Sequence, residues 1–181
     1  MHAAAEVQRV AAWVRTGSDN IGLPYLILDK RAARLFVFSP QGQPLADSPV
    51  LLGAAVGDDS APGVGDKPFA EFKPAERTTP AGRFLTRPGL NLDGEDIVWV
   101  DYAAAISIHR VRANVSAERR LQRLASPTPT DNRISYGCIN VPVAFYQQHV
   151  WPVFSKGRGV AYVIPEVKQL DEALPGFTEN R

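Results

Sequence analysis

The chain has 181 residues, the length of a single domain, with 45% hydrophobic and 22% charged residues. This composition excludes a disordered tail, a coiled coil and a collagen-like repeat, and no apolar run reaches the roughly 18 residues that a membrane span needs. Twenty basic residues against 19 acidic ones leave a net charge of +1, which does not favour a nucleic-acid partner. A single cysteine excludes an internal disulfide and a paired-cysteine metal site.

The first half of the chain predicts one helix followed by short strands. Val7, Val10, Ala11 and Val14 recur at helical spacing and Gly17 would end the helix. After Gly17 the pattern changes to apolar runs separated by turn residues, which predicts a hairpin, a further strand and a loop. The hairpin is predicted at Tyr25–Leu28 with Leu35–Phe38, the further strand at Val50–Val56 and the loop at Gly57–Pro68.

The second half predicts further strands at Arg83–Thr86, Ile97–Tyr102, Ala105–His109 and Val160–Ile164. Two helices are expected, Glu118–Ala125 with Ser116 as N-cap, and Phe145–Phe154 with Pro142 near its start. The 15 prolines and 14 glycines argue against a helical bundle. The pattern therefore predicts a mainly β domain, a β-rich α+β fold with an N-terminal helix and short peripheral helices.

The strongest local signal for chemistry is the segment Ser135-Tyr136-Gly137-Cys138-Ile139-Asn140. A glycine before the cysteine permits a tight turn whose N–H groups converge, as an oxyanion formed by thiolate attack requires. We expect Gly137 to permit this turn, Ser135 to orient the loop or the imidazole, and Asn140 to bind the loop or a ligand. The alternative is that Cys138 is a buried core residue.

Among the three histidines, His109 is the best candidate for the base that a thiol needs, because it ends a predicted strand. His2 lies at the terminus, and His149 lies on the amphipathic segment Phe145–Phe154, where a surface or packing role is expected.

The stretch from Arg110 to Arg133 has six arginines against two acidic residues. It is either a solvated charged surface or a collar for a substrate rich in carboxylates, which arginine binds bidentately. Arg110 and Arg133 are the candidates nearest the cysteine and histidine in sequence.

Three motifs in order resemble the L,D-transpeptidase catalytic domain, the YkuD family of bacterial cell-wall enzymes. Thr79-Pro80-Ala81-Gly82-Arg83-Phe84 matches the family's Thr-Pro-x-Gly-x-aromatic turn, His109 its histidine, and Ser135, Gly137, Cys138, Ile139 and Asn140 its cysteine motif. The resemblance covers Leu23 to Pro165. It implies a β-sandwich catalytic domain over residues 23–165, a helical extension over 1–22 and a C-terminal tail over 166–181.

Two features depart from the family pattern. Tyr136 replaces a histidine, and 25 residues separate His109 from Ser135, more than is usual. Tyr136 keeps its backbone N–H but changes the side chain that faces the substrate, and the insertion is expected to reshape a subsite. Because a divergent branch of the family makes 1-3 cross-links in place of 3-3 links, both products are considered.

The resemblance implies a peptidoglycan L,D-transpeptidase in which Cys138 forms a thioester with a stem peptide and His109 accepts its proton. The partners would be donor and acceptor stem peptides; no metal or other cofactor is expected. Such a substrate implies a periplasmic location, although no export signal is visible. The alternatives are a cysteine hydrolase of stem peptides (an L,D-carboxypeptidase or amidase), a non-catalytic wall-binding module, and an unrelated β domain with a buried Cys138.

Overall fold

A computed structural model describes residues 4–178. The helices are α1 Ala5–Gly17, α2 Arg120–Ala125, α3 Val143–Phe145, α4 Trp151–Phe154 and α5 Leu170–Ala173. The strands are β1 Tyr25–Asp29, β2 Arg34–Phe38, β3 Pro44–Pro49, β4 Leu52–Gly53, β5 Gly82–Leu90, β6 Asp96–Asp101, β7 Ile106–Arg110, β8 Arg133–Ser135, β9 Ile139–Val141 and β10 Gly159–Ile164. The mainly β class predicted from the sequence is confirmed. His2 lies outside the described residues, as do parts of segments 1–22 and 166–181.

Eight of these strands form one mixed sheet in the order β3-β2-β1-β10-β5-β6-β7-β9. The predicted hairpin is confirmed as β1 and β2, which pair antiparallel with Leu28 opposite Leu35. β7 and β9, which carry the candidate histidine and asparagine, are parallel neighbours at one end of the sheet. β4 and β8 form a separate parallel pair.

The sheet has two hydrophobic cores, one against each face of its first half. The main core joins residues from both ends of the sheet, including Leu28, Val37, Ile108 and Val141, as expected for sandwich-like packing. The second core packs α1 and the segment after β10 against the opposite face of β1, β2 and β10. Burial on both faces explains why β1 and β2 are continuous apolar runs in the sequence rather than alternating ones.

The second core draws on both ends of the described chain. Its members from these ends are Val7, Val10, Val14, Leu170, Leu174 and Phe177. The indole of Trp13 also donates a hydrogen bond of 3.0 Å to the carbonyl of Gly176. The residues after Pro165 are thus packed against the sheet through part of their length.

The apolar helix expected at Phe145–Phe154 is present and contains a π-helical turn. α3 and α4 are joined by a π-helical segment at Tyr146–Val150. Pro152 lies in the first turn of α4, where its missing N–H would break an α-helical hydrogen bond. A wider turn just before a proline is a common way to accommodate that loss.

Two local predictions were wrong. Ser116 is not the N-cap of α2, because it begins a separate 3-10 turn at Ser116–Glu118 and Arg119, with a left-handed φ of 52°, interrupts the helical path before α2. Val50–Val56 contains only the two-residue strand β4 and isolated bridges at Leu51 and Ala55. This segment passes so close to its neighbours that a Cβ on Gly53 would lie 2.3 Å from the carbonyl oxygen of Arg77.

Within residues 4–178, no helix is long and apolar enough to cross a bilayer.

Candidate active site

The candidate site lies across the parallel strands β7 and β9. His109 is opposite Asn140 in the register, and residues two apart on a strand share a face. Two cross-strand pairs result: Ser107 Oγ lies 3.7 Å from Cys138 Sγ, and Asn140 Nδ2 lies 3.2 Å from His109 Nε2. The predicted nucleophile, base and asparagine are therefore brought together. Ser107 was missed, although its place two residues before His109 on a predicted strand was a signal for it.

Ser135 and Gly137 shape the turn that presents Cys138. The hydroxyl of Ser135 donates to the carbonyl of Cys138 at 2.6 Å and accepts from the N–H of Gly137 at 3.1 Å. Gly137 has φ of 129°, and a Cβ there would lie 2.6 Å from Ile106 Cδ1 and 2.7 Å from the carbonyl oxygen of Thr78. Only glycine fits this position. Because the Gly137 N–H is already bound, an oxyanion would be left with the N–H groups of Tyr136 and Cys138.

The Thr-Pro-x-Gly motif supports the same turn from below. Thr79 Oγ1 donates to the carbonyl of Gly137 at 2.7 Å and accepts from the N–H of Gly53 at 2.9 Å. The carbonyl of Thr79 in turn accepts a hydrogen bond of 2.9 Å from the buried Lys30 ammonium. Two motifs that are far apart in sequence thus form one hydrogen-bonded unit.

A cavity of about 270 Å³ lies above this unit. Five predicted residues line it: Cys138, His109, Ser135, Tyr136 and Asn140. Further lining comes from Phe69 and from the insertion between β7 and β8, namely Arg112, Asn114, Val115, Glu118 and Arg120. The long insertion is therefore part of the cavity wall.

Tyr136 forms an aromatic wall of the cavity. Its ring lies 5.1 Å from that of Phe69 and 5.6 Å from that of Phe72, measured between centroids. The guanidinium of Arg77 lies 4.4 Å from the centre of the Tyr136 ring, a cation–π distance. The side chain is held by packing, so it gives this wall a fixed shape.

Desolvation disfavours the charged forms of both the Cys138 thiol and the His109 imidazole. It raises the pKa of Cys138 above its usual value, against the opposing effect of hydrogen bonds from Ser107. It lowers the pKa of His109, whose Nδ1 lies 2.8 Å from the carbonyl of Arg110. In the described part of the chain the thiol contacts Ser107 and, at 3.5 Å, the carbonyl of Ala105, and makes no hydrogen bond to His109. Both pKa directions favour a neutral thiol beside a neutral imidazole, so proton transfer would accompany attack on a bound substrate.

Arg110 and Arg133 do not line the cavity, contrary to prediction. Arg110 follows His109 on β7 and so points to the opposite face of the strand, where it pairs with both carboxylate oxygens of Asp96 at 3.0 Å. Arg133 pairs with Glu166 and donates to the carbonyl of Lys30. The arginines of this stretch that reach the cavity are Arg112 and Arg120.

His149 lies in the π-helical segment away from the cavity lining, with its ring 5.3 Å from that of Phe145. Among residues 4–178, no group of three or more histidine, cysteine, aspartate or glutamate side chains is arranged to hold a metal ion.

Comparison with known proteins identifies the fold. No family model matches the chain, and no curated protein matches its sequence. Among solved structures, it is similar to the helical cell shape determining protein Pgp2 of Campylobacter jejuni, at a TM-score of 0.50 and 16% identity, over 83% of this chain and 50% of Pgp2. The chain thus spans about half the length of Pgp2, and at this identity the similarity shows a shared fold.

Two further structures are more distant. The L,D-transpeptidase LdtMt1 in complex with imipenem has a TM-score of 0.43 and 17% identity, over 78% of this chain and 58% of LdtMt1. The catalytic domain of the Enterococcus faecium (E. faecium) L,D-transpeptidase has a TM-score of 0.40 and 18% identity, over 77% of this chain and 95% of that domain.

Proposed function

We propose that this protein is a cysteine acyltransferase, an L,D-transpeptidase that acts on the stem peptides of peptidoglycan. The observation that carries the proposal is the position of Cys138 and His109 in one cavity, with His109 on β7 and Cys138 directly before the neighbouring strand β9, at the end of a turn braced by Ser135 and Thr79. A structural thiol would not require this bracing or a buried imidazole in the same cavity.

The first half of the reaction forms a thioester. His109 takes the proton from Cys138 as the sulfur attacks an amide carbonyl carbon, and the oxyanion accepts hydrogen bonds from the N–H groups of Tyr136 and Cys138. The carbon–nitrogen bond then breaks, and the imidazolium returns its proton to the departing amine. One oxyanion donor contributes about 2.7–4 kcal/mol in comparable acyl-transfer enzymes.

The second half transfers the acyl group. The amine of a second stem peptide loses a proton to His109 and attacks the thioester carbon, and the sulfur leaves as the thiol once it is reprotonated. The product is a cross-link, of the 3-3 or the 1-3 type. With water as the attacking group, the same steps describe the alternative function, a cysteine hydrolase of stem peptides.

The substrate class rests on the three ordered sequence motifs together with the fold shared with Pgp2. A peptidoglycan substrate implies a periplasmic location, which is part of the proposal. Arg112 and Arg120 are the cavity arginines that a stem-peptide carboxylate would meet.

The test is mass spectrometry of purified muropeptides incubated with the wild type, Cys138→Ala and His109→Ala, with His149→Ala as the matched control. We expect cross-linked dimers from the wild type and His149→Ala, none from Cys138→Ala, and a strong loss from His109→Ala. Shortened monomers without dimers would assign the hydrolase. Full activity of Cys138→Ala, or no cysteine-dependent product from the wild type, would overturn the proposal and leave a binding module.

A further inference from the structure

We propose that Arg120 is a positioning residue: by fixing the amide orientation of Asn140 it keeps Nε2 of His109 unprotonated, and so sets the His109 tautomer together with the carbonyl of Arg110. The catalytic consequence rests on the function proposed above, whereas the structural claim can be tested without a substrate. Arg120 lies on α2, in the insertion, and no sequence motif includes it.

The first step is the contact between Arg120 and Asn140. Arg120 Nη1 lies 2.6 Å from the Asn140 side chain, and its Nε lies 2.5 Å from Glu118 Oε2. A guanidinium has only donors, so the Asn140 atom facing it must be the carbonyl oxygen Oδ1. Glu118 holds the guanidinium in place, and the Arg120 side chain is only 12% exposed. The usual ambiguity between the oxygen and nitrogen of an asparagine amide is therefore removed.

The second step follows from that orientation. With Oδ1 toward Arg120, the amide nitrogen Nδ2 faces His109 Nε2 at 3.2 Å and the carbonyl of Cys138 at 3.3 Å. An amide nitrogen only donates, so Nε2 must offer its lone pair. The ring proton is then on Nδ1, where the carbonyl of Arg110 accepts it at 2.8 Å. The contacts on the two ring nitrogens agree on the same tautomer.

The third step concerns what this tautomer does. Free imidazole favours the proton on Nε2, so the protein imposes the less common form. Nε2 then carries the only ring lone pair, so it is the nitrogen that would receive the thiol proton, and the hydrogen bond from the Asn140 amide would have to break as it does so. An imidazolium would place its Nε2–H against the N–H of Asn140. Of the charged groups that act on His109, Arg112 and Arg120 favour the neutral ring and Glu95 opposes them.

The experiment is nitrogen NMR of protein labelled with ¹⁵N-histidine, with the His109 signals assigned by their loss in His109→Gln. We expect the wild type to have the proton on Nδ1. In Arg120→Met the amide is free to turn its oxygen toward His109, where it would accept from Nε2–H. Because the carbonyl of Arg110 still accepts from Nδ1–H, we expect Nε2 to hold a proton at higher pH than in the wild type, which gives a doubly protonated ring and a higher titration midpoint. Arg120→Lys keeps a donor and should retain part of the wild-type signature.

The matched control is Arg123→Met. Arg123 also lies on α2 and donates to the carbonyls of Glu118 and Asp131, without contacting Asn140. It tests whether loosening the insertion alone changes the imidazole. A wild-type signature in Arg120→Met, or the same change in Arg123→Met as in Arg120→Met, would overturn the inference.

A second variant leaves α2 intact in case Arg120→Met fails to fold. Asn140→Asp replaces the donor beside Nε2 with a carboxylate oxygen, so we expect the Nε2–H or charged form of His109. Retention of the Nδ1–H form would overturn the inference by this route. If the NMR result is as expected while the wild type makes no muropeptide product, the proposed function fails and the tautomer assignment stands. If products form but the tautomer does not depend on Arg120 or Asn140, the proposed function stands and the role given to Arg120 fails.

Discussion

At the scale of single residues, Gly137 determines how closely the cysteine turn approaches β7. Its positive φ is one that other residues adopt only under strain, and its hydrogen atoms face the side chain of Ile106 and the carbonyl of Thr78. A methyl group there would have to displace either a core side chain or the backbone of the Thr-Pro-x-Gly motif. The conformation of the cysteine turn and the packing of the core therefore both depend on the absence of a side chain at Gly137.

Gly137→Ala should therefore damage both stability and activity. We expect the free energy of unfolding to fall by about 2–4 kcal/mol, from backbone strain and overpacking together. Urea denaturation and the muropeptide assay measure the two effects. Gly94→Ala is the control: Gly94 has φ of 78° and nothing within 4 Å of the position that a methyl group would take, so only strain applies, about 1 kcal/mol, with activity retained. Equal losses of stability would contradict the close-packing argument.

The raised pKa of Cys138 makes a prediction about its reactivity. At neutral pH we expect iodoacetamide to alkylate Cys138 more slowly in the folded protein than in urea, with the rate increasing as the pH rises above the usual thiol value of 9.0. Mass spectrometry of quenched samples gives the rates. A fast reaction that is constant from acid to neutral pH would indicate a thiolate–imidazolium pair instead. Slow alkylation therefore does not by itself favour a binding module or a core cysteine.

At the scale of elements, the insertion between β7 and β8 is anchored by a small core of its own. Leu51, Val111 and Leu124 form this cluster, with Ile134 packed against it. It is separate from the two larger cores, so α2 can be perturbed without unfolding the sheet. Since Arg120 lies on α2 and lines the cavity, this small cluster also helps to hold Arg120 in the candidate site.

Leu124→Ala should loosen α2 while the sheet remains folded. Loss of a buried leucine side chain costs about 2–3 kcal/mol of local stability, and we expect faster hydrogen exchange of α2 amides and reduced activity. Leu121→Ala, on the same helix but 57% exposed, is the control and should change neither. Increased exchange throughout β1 and β10 would show that the insertion is part of the main cooperative unit.

At the scale of the whole molecule, a buried ionic cluster connects distant segments beneath the site. Lys30 donates to Asp58 at 2.6 Å and lies 3.4 Å from Glu166, and both its side chain and that of Asp58 are almost fully buried. Asp58 also accepts backbone N–H bonds from Glu166, Val167 and Lys168. The cluster joins the β1–β2 hairpin, the loop after β4 and the segment after β10.

Asp58→Asn should destabilise the whole fold by about 3 kcal/mol, because buried Lys30 loses the carboxylate 2.6 Å away and keeps only Glu166, at 3.4 Å, as a charged partner among the described residues. Burial by itself would raise the pKa of Asp58, but hydrogen bonds from Lys30 and the backbone lower it to about 2. The stabilisation is thus present above the usual value of 3.8 and is lost as the pH falls from there to about 2. Urea midpoints measured against pH should show this loss in the wild type and less of it in the variant.

The neighbouring Asp59 provides the control. It is 73% exposed and, among residues 4–178, pairs with Lys168 alone, so Asp59→Asn should change stability by less than about 0.5 kcal/mol. Similar costs for the two aspartates would contradict the role given to the buried cluster.

The sequence was sufficient for features that depend on local pattern. The β1–β2 hairpin follows from two apolar runs around a turn. The motif residues Cys138, His109, Ser135 and Asn140 line one cavity, while their functional roles stay predictions. Which arginines reach the cavity depends on tertiary contacts that the sequence does not show. Proximity in sequence therefore favours Arg110 and Arg133, whereas Arg112 and Arg120 line the cavity. The sequence did not predict that Lys30 and Thr79 support the cysteine turn, because these contacts also join residues that are far apart in the chain.

The raised pKa of the partly exposed Cys138 also bears on oxidative damage. Peroxide and low-molecular-weight disulfides attack the thiolate, and a thiol held in its protonated form reacts with them slowly. Sulfenic acid formation should therefore be slow at Cys138 even in an oxidising medium. If the proposed function holds, the desolvation that keeps the Cys138 thiol protonated before an acyl donor binds would also protect it from oxidation between reactions.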